Sequence, residues 1–311
     1  MRAPRTRRRV PLVATSAVLT ALVLVAGCAV DIHLGGNRIL PEPSQAPSAA
    51  MTPRPSTGAD PQSIGVATSR DQLILDEDFR GTVLDTSVWN TCHWWDDGGC
   101  TIATNSELEW YLPEQVQVRD GALELTAENR QVIGADGKVF PYTSGMVSTG
   151  PPVHDGEAKL AFTYGAVEVR FRAPLGAGLW PAIWMLPASE ESTPEIDLFE
   201  AVGQQPHQAN MYFHPARATG ANSERHLITL PVGQDLANDH TVRLEWTPDR
   251  LDFFFDGRWV WEVTGDLVPA EPMYLVMNLA VGGVYGGPPD PSVFPATFRI
   301  DYARIWSGGA Q

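Results

Sequence analysis

The chain has 311 residues, a formal charge of −15 at neutral pH, and only three cysteines against ten tryptophans. Such acidity excludes recruitment of nucleic acid, anionic lipid or sulfated polymers by an overall positive field. A neutral ligand is the easier match.

Residues 1 to 28 read MRAPRTRRRVPLVATSAVLTALVLVAGC, with five arginines followed by an apolar run from Pro11 to Gly27. This is the layout of a secretory signal peptide, assigned here to residues 1–27. The run is short for a membrane-spanning helix, which wants about 20 apolar residues. VAGC is similar to a bacterial lipobox, which would make Cys28 the lipidated first residue of the mature protein. RTRRRV faintly resembles a twin-arginine export signal. Cleavage before Cys28 would remove the arginines and leave a charge of about −20. The expected location is extracytoplasmic, either anchored to the membrane through the lipid or secreted. Residues 28–70 form the tether: between Gly36 and Arg70 there are six prolines and many Ala, Ser and Thr. That composition buries too little apolar surface to offset its ordering entropy, so disorder is predicted.

Residues 71–311 are the folded body, with no internal repeat and a length that all-β domains often use as one unit. Cys92 and Cys100 flank HWWDDGG, and in an exported protein a local disulfide is the expected pairing. His93 beside it is expected to be an ordinary solvated histidine. QVQVRDGALELTAE alternates Val116 and Val118, turns at Asp120-Gly121 and resumes with Leu123 and Leu125, a hairpin pattern. YGAVEVRFRAP sets Val167, Val169 and Phe171 against Glu168, Arg170 and Arg172. HTVRLEWTPDRLDFFFDGRWVWEV carries turn signals at Pro248-Asp249 and Asp256-Gly257, and MYLVMNLAVGG and TFRIDYARIW complete the series. Nearly every strong pattern has period two, and no helical segment of convincing length appears. The prediction is an all-β jelly-roll sandwich of two antiparallel sheets.

Residues 195 to 200 read EIDLFE, three carboxylates among core-type side chains. In a strand Glu195 and Asp197 share a face while Ile196 and Leu198 take the other. Glu200 has the wrong parity unless a bulge near Leu198-Phe199 restores it. Like charges so placed repel, so a chain selected for stability alone would avoid them. A solvated face or a calcium loop are the alternatives; a calcium loop would show more Asn, Gly and turns. A pair of carboxylates spaced for glycosidic chemistry, with a third tuning their charge, is the functional reading.

EIDLFE resembles the E-x-D-x-x-E signature of glycoside hydrolase family 16, in its laminarinase-like branch. DEDFRG, NSELEWY, YGAVEVRFRAP, GLWPAIWMLP, EWTPDRLDFFFDG, MNLAVGG and IDYARIW are similar to the same family in the same order. The resemblance implies the concanavalin A-like lectin and glucanase fold, with Glu195 as nucleophile, Asp197 as helper and Glu200 as acid/base. It also implies sugar contacts from Trp180 and Trp184, with core packing as the alternative for either, and polar contacts from Asn105, Glu107, Asn278 and His214, the last with a structural role as its alternative; Trp94 and Trp95, inside the expected disulfide loop, are rim candidates, and Trp110 is a weaker one. A structural calcium ion at Asp78, Gly121 and Asp301 is a further implication, whereas catalysis should need no cofactor. The implied activity is retaining, endo-acting hydrolysis of β-1,3- or mixed-linkage β-1,3-1,4-glucan by a monomer. A β-galactan hydrolase of agar or carrageenan type, a transglycosylase and a non-catalytic glycan-binding lipoprotein are the rivals. Two stretches depart from the pattern beside the sugar subsites: ESTPEID lacks the Trp-Gly common before the first acid, and Pro215 follows His214.

Overall fold

The structure, a computed structural model, describes residues 72–95 and 99–308. The predicted signal peptide, Cys28 and the tether up to residue 70 lie outside the described residues.

Two antiparallel sheets, one of eight strands and one of six, make the body. The larger runs from Arg258–Thr264 through Arg250–Phe255, His240–Thr247, Gly165–Arg172, Ala296–Ser307 and Ala122–Ala127 to Val116–Arg119, with Gln72–Glu77 also paired to Ala296–Ser307. The smaller runs from Glu224–Thr229 through Gln208–His214, Glu195–Glu200, Leu179–Pro187 and Met273–Val281 to Met146–Ser148. Among the described residues helix is confined to one turn, Gly283–Gly286, and short 3-10 segments. No helix among them is long and apolar enough to cross a membrane.

The turn chemistry explains the hairpins. Asp120 and Gly121 both have positive φ, 51° and 68°, and join Val116–Arg119 to Ala122–Ala127 with Val118 opposite Leu123. Asp256 and Gly257 do the same, at 49° and 71°, between Arg250–Phe255 and Arg258–Thr264. These are the two-residue turns whose twist matches that of the flanking strands.

The space between the sheets is filled by alternate side chains of both, including Val167, Val169 and Phe171 from the larger and Ile183, Met185 and Met277 from the smaller. Each such side chain contributes about 1.5–3 kcal/mol by leaving water. Ile196, Leu198 and Phe199 all belong to this core. Phe199 packs on Phe171 with ring centroids 4.4 Å apart. Consecutive Leu198 and Phe199 cannot both face inward in a regular strand, so the backbone must gain a residue there. The pairing shows it: Asp197 faces Tyr212 and Glu200 faces Asn210, three residues advancing against two. On the other side Ile183 faces Phe199 while Trp184 faces Asp197, skipping Leu198.

Candidate active site

The bulge decides the site. By taking Leu198 and Phe199 into the core, it returns Glu200 to the face already occupied by Glu195 and Asp197. All three carboxylates line one pocket of about 350 Å³, together with Trp180, Trp184, Asn105, Glu107, His214 and Asn278. Each of those residues was singled out in the sequence, yet they come from five separate stretches of chain. A neighbouring pocket of about 490 Å³ shares Glu195, Trp184, His214, Asn105 and Ile102 and continues past Trp94, Trp95, Glu190, Glu191 and Arg217.

The trio is held by few partners. Trp180 donates its indole N–H to Glu200 Oε1 at 2.9 Å. His214 Nε2 lies 3.2 Å from Asp197 Oδ2, and its Nδ1 is 2.7 Å from Ser223 Oγ. Burial is the main force on all three acids, and it raises their pKa values because the charged form loses its hydration. Their mutual repulsion adds to it: Asp197 acts on Glu195, Glu200 on Asp197, and Glu195 on Glu200. Glu200 is carried to about 7, with the Trp180 hydrogen bond and the charge of His214 pulling the other way. Among the described residues no arginine or lysine pairs with any of the three. Glu195, Asp197 and His214 also bring potential ligand atoms within 4.8 Å of one another. Three acids and one imidazole at this density suit proton sharing and a covalent displacement.

Beneath the pocket lies a second apolar cluster of Tyr111, Met146, Ala182, Trp184, Leu186, Tyr274 and Val276. Trp184 packs into it and donates its indole N–H to Asn278 Oδ1 at 2.7 Å, while Asn278 Nδ2 donates to the Tyr111 hydroxyl at 3.0 Å. Trp184 is thus both core and pocket wall. Asn105 Nδ2 donates to Glu107 Oε1 at 2.9 Å. Cys92 and Cys100 are joined by a disulfide, Cα atoms 4.8 Å apart, and the loop they close lays Trp94 and Trp95 against this cluster. Trp94 donates to the Tyr274 hydroxyl at 3.0 Å, which fixes its ring at the rim.

Two expectations fail here. His93 is not solvated: it is 4% exposed, stacked on Trp95 at 3.9 Å, and burial drives its pKa down to about 3. Trp95 of the closed loop covers it. Trp110 is no rim residue either, since its ring packs against Phe140 at 5.0 Å, away from the residues lining the pocket. Within Glu109–Tyr111 alternation turns Trp110 the opposite way from its neighbours. Asp78 and Asp301 have their carboxylates committed, Asp78 to Arg80 and Asp301 to Arg299 and Arg170. Arg299 also donates to Asp120 O in the turn that holds Gly121. No step of the chemistry runs through a calcium ion at these positions.

Sequence reading missed Tyr212, Tyr285 and Ala182, which also line the pocket. Asn210 Nδ2 donates to the Tyr285 hydroxyl at 2.7 Å, and Tyr285 lies against Trp180 with centroids 5.0 Å apart. Alternation within QANMYFH could have found Tyr212, because it shares a face with His214. Nothing local marks Tyr285, whose place depends on a one-turn helix.

A family profile described as Glycosyl hydrolases family 16 matches residues 102–304, nearly all of the two sheets and every residue of the pocket. The chain belongs to that family. Glucan endo-1,3-beta-glucosidase A1 of Niallia circulans is 34% identical over 294 residues, which are 82% of this chain and 41% of that protein. An endo-1,3-1,4-beta-glycanase of Rhizobium meliloti is 31% identical over 233 residues, 71% of this chain and 48% of that protein. The chain thus spans less than half the length of these curated relatives. The solved catalytic domain of an endo-1,3-beta-glucanase (laminarinase) from Thermotoga petrophila RKU-1 superposes with a TM-score of 0.68 at 29% identity, covering 77% of this chain and 99% of that one. This family 16 likeness places the fold among the jelly-roll laminarinases, and its two antiparallel sheets are those the alternation predicted.

Proposed function

We propose that this protein is a retaining endo-β-glycosidase that hydrolyses β-1,3-glucan or mixed-linkage β-1,3-1,4-glucan by double displacement. The observation that carries the reading is the bulge at Leu198-Phe199, which lines up three carboxyls unmatched by arginine or lysine among the described residues, the last with a pKa of about 7. The laminarinase and glucanase relatives point to the same substrate class.

In the first step Glu195 attacks the anomeric carbon while Glu200 passes its proton to the glycosidic oxygen, so the leaving chain departs as an alcohol. A general acid works best with a pKa near the working pH, and Glu200 has that. Asp197, in contact with Glu195, holds the proton that would otherwise neutralise the nucleophile, and His214 steadies Asp197. Once Glu195 is a neutral ester, the repulsion on Glu200 falls, and Glu200 stays ionised as the base that takes a proton from water. The water oxygen then attacks the anomeric carbon and releases Glu195. A sugar bond fits between two such carboxyls at a separation of about 5–5.5 Å. Trp180 and Trp184 offer flat faces to the sugar rings, and Asn105, Glu107 and Asn278 offer hydrogen bonds to hydroxyls. No cofactor enters these steps.

Export belongs to the same proposal: a signal peptide over 1–27, lipidation of Cys28 and a tether would hold a monomeric enzyme outside the cytoplasm, where such polymers are met.

A panel of laminarin, lichenan, agarose and carrageenan, read by reducing ends and product linkage, tests the reading. Cleavage of the first two is expected; cleavage of the galactans alone moves the substrate class, and no products from any favour a binding protein. Glu195→Ala should be inactive and, with added azide, yield a glycosyl azide of inverted anomeric configuration.

A further inference from the structure

The mechanism leaves one buried acid unused. Glu109 is fully buried beside Glu107, itself only 6% exposed. Glu109 Oε2 accepts the Val281 backbone N–H at 2.7 Å, which clamps the carboxyl to the strand Met273–Val281. Its Oε1 is sealed from water and meets no donor at hydrogen-bond distance among the described residues. Glu107, by contrast, accepts from Asn105 Nδ2, from the Ile102 backbone at 3.3 Å and from the Tyr111 hydroxyl at 3.5 Å. An acceptor atom without a donor, hidden from water beside a second carboxyl, is costly unless a proton lies between them. Burial holds both acids above the usual carboxylate range, the charge of Glu109 raises Glu107 further, and burial followed by the charges of the two acids raises the Tyr111 phenol as well. Tyr111 is the remaining titratable group against the pair, and neither acid has a lysine, arginine or histidine partner among the described residues.

From Glu107 the contacts run in one direction. Trp184 donates to Asn278, Asn278 donates to Tyr111, and Tyr111 donates to Glu107. Each donor needs the next acceptor in place, so the orientation of the Trp184 ring at the pocket wall depends on where Glu107 sits.

We propose that Glu109 is a positioning residue for substrate binding: it shares a single proton with Glu107, and this pairing fixes the Tyr111–Asn278–Trp184 relay under the sugar platform. Loss of the shared proton would leave two adjacent anions, push Glu107 away and loosen the relay. The effect falls on binding and not on the bond-breaking step, because Glu109 touches neither the trio nor the pocket.

The functional half of the test rests on the glycosidase reading; the spectroscopic half does not. Infrared difference spectra of the full chain at neutral pH, wild type minus Glu109→Gln, should show the carbonyl band of a protonated carboxyl in the wild type alone. Absence of that band overturns the proposal. In steady-state kinetics on laminarin, Glu109→Ala should raise KM about tenfold with kcat within about threefold, and Glu109→Gln should stay near wild type. Wild-type KM should climb at alkaline pH as the shared proton is lost, and remain flat in Glu109→Gln, whose amide cannot ionise. A merely structural role would lower Tm in Glu109→Ala while leaving the alkaline climb in Glu109→Gln, and that result refutes the proposal. A wild type that shows the band but cuts no β-glucan defeats the glycosidase reading and leaves the proton pair standing.

Discussion

The outer face of the larger sheet and the pocket face of the smaller one carry the same acidic residue types under opposite conditions. Outside, acids are matched: Glu168 and Glu245 with Arg243, Asp252 and Glu262 with Arg250, Asp239 with Arg170 and Arg172, Asp76 with Arg304. The two guanidinium groups beside Asp239 hold its carboxyl below the usual range. In the pocket Glu195, Asp197 and Glu200 have one imidazole between them, and burial drives them upward. The lesson is that pairing and solvation, not residue type, decide whether a carboxyl is a fixed anion or a proton donor at neutral pH.

The hardest blow to that contrast is removal of the last acid. Glu200→Gln should cut kcat on polymer about a thousandfold, within the range expected for loss of general acid–base catalysis, and lack the alkaline limb expected in wild-type kcat/KM near pH 7. A surviving limb in the variant would assign it to another group. Stability should move the other way. The folded pKa of Glu200, about 7, lies above its ordinary 4.5, so the folded chain binds the extra proton between those values. Its contribution to stability is whole below about pH 4.5 and is lost as pH rises through 7. Glu200→Gln has no such loss, and denaturant unfolding at pH 8 should find it about 2 kcal/mol more stable than the wild type, after allowing for partial exposure.

A milder change sharpens the same point. Trp180→Phe removes the donor that favours the ionised form of Glu200, so the alkaline limb should move upward by about half a pH unit to one unit, read from kcat/KM profiles. On the outer face Arg172→Ala should let Asp239 rise toward its ordinary value, followed by NMR titration, and cost less than about 1 kcal/mol because the pair is exposed. A larger cost there would mean that the outer ion pairs carry stability after all.

Much of this contrast is legible in the chain. Period-two patterns and the Asp120-Gly121 and Asp256-Gly257 turns point to antiparallel strands because alternation and positive φ are local properties. The wrong parity of Glu200 calls for the bulge, and Leu198-Phe199 marks its place. What stays hidden is what approaches from far along the chain. Glu109 meets Val281 across 172 residues, and Asn278 meets Tyr111 across 167. The alternation of Glu107 and Glu109 puts both on one face but does not say that the face is closed to water. His93 reads as a solvated loop residue, yet Trp95 covers it.

By itself the sequence determined the strands, their inward and outward faces, the bulge and the trio of acids, since each follows from spacing along a few residues. The tertiary structure alone decided which acids meet an arginine and which are left with one another. That outcome depends on long-range register and on exclusion of water, and these in turn set the protonation state of every carboxyl in the pocket.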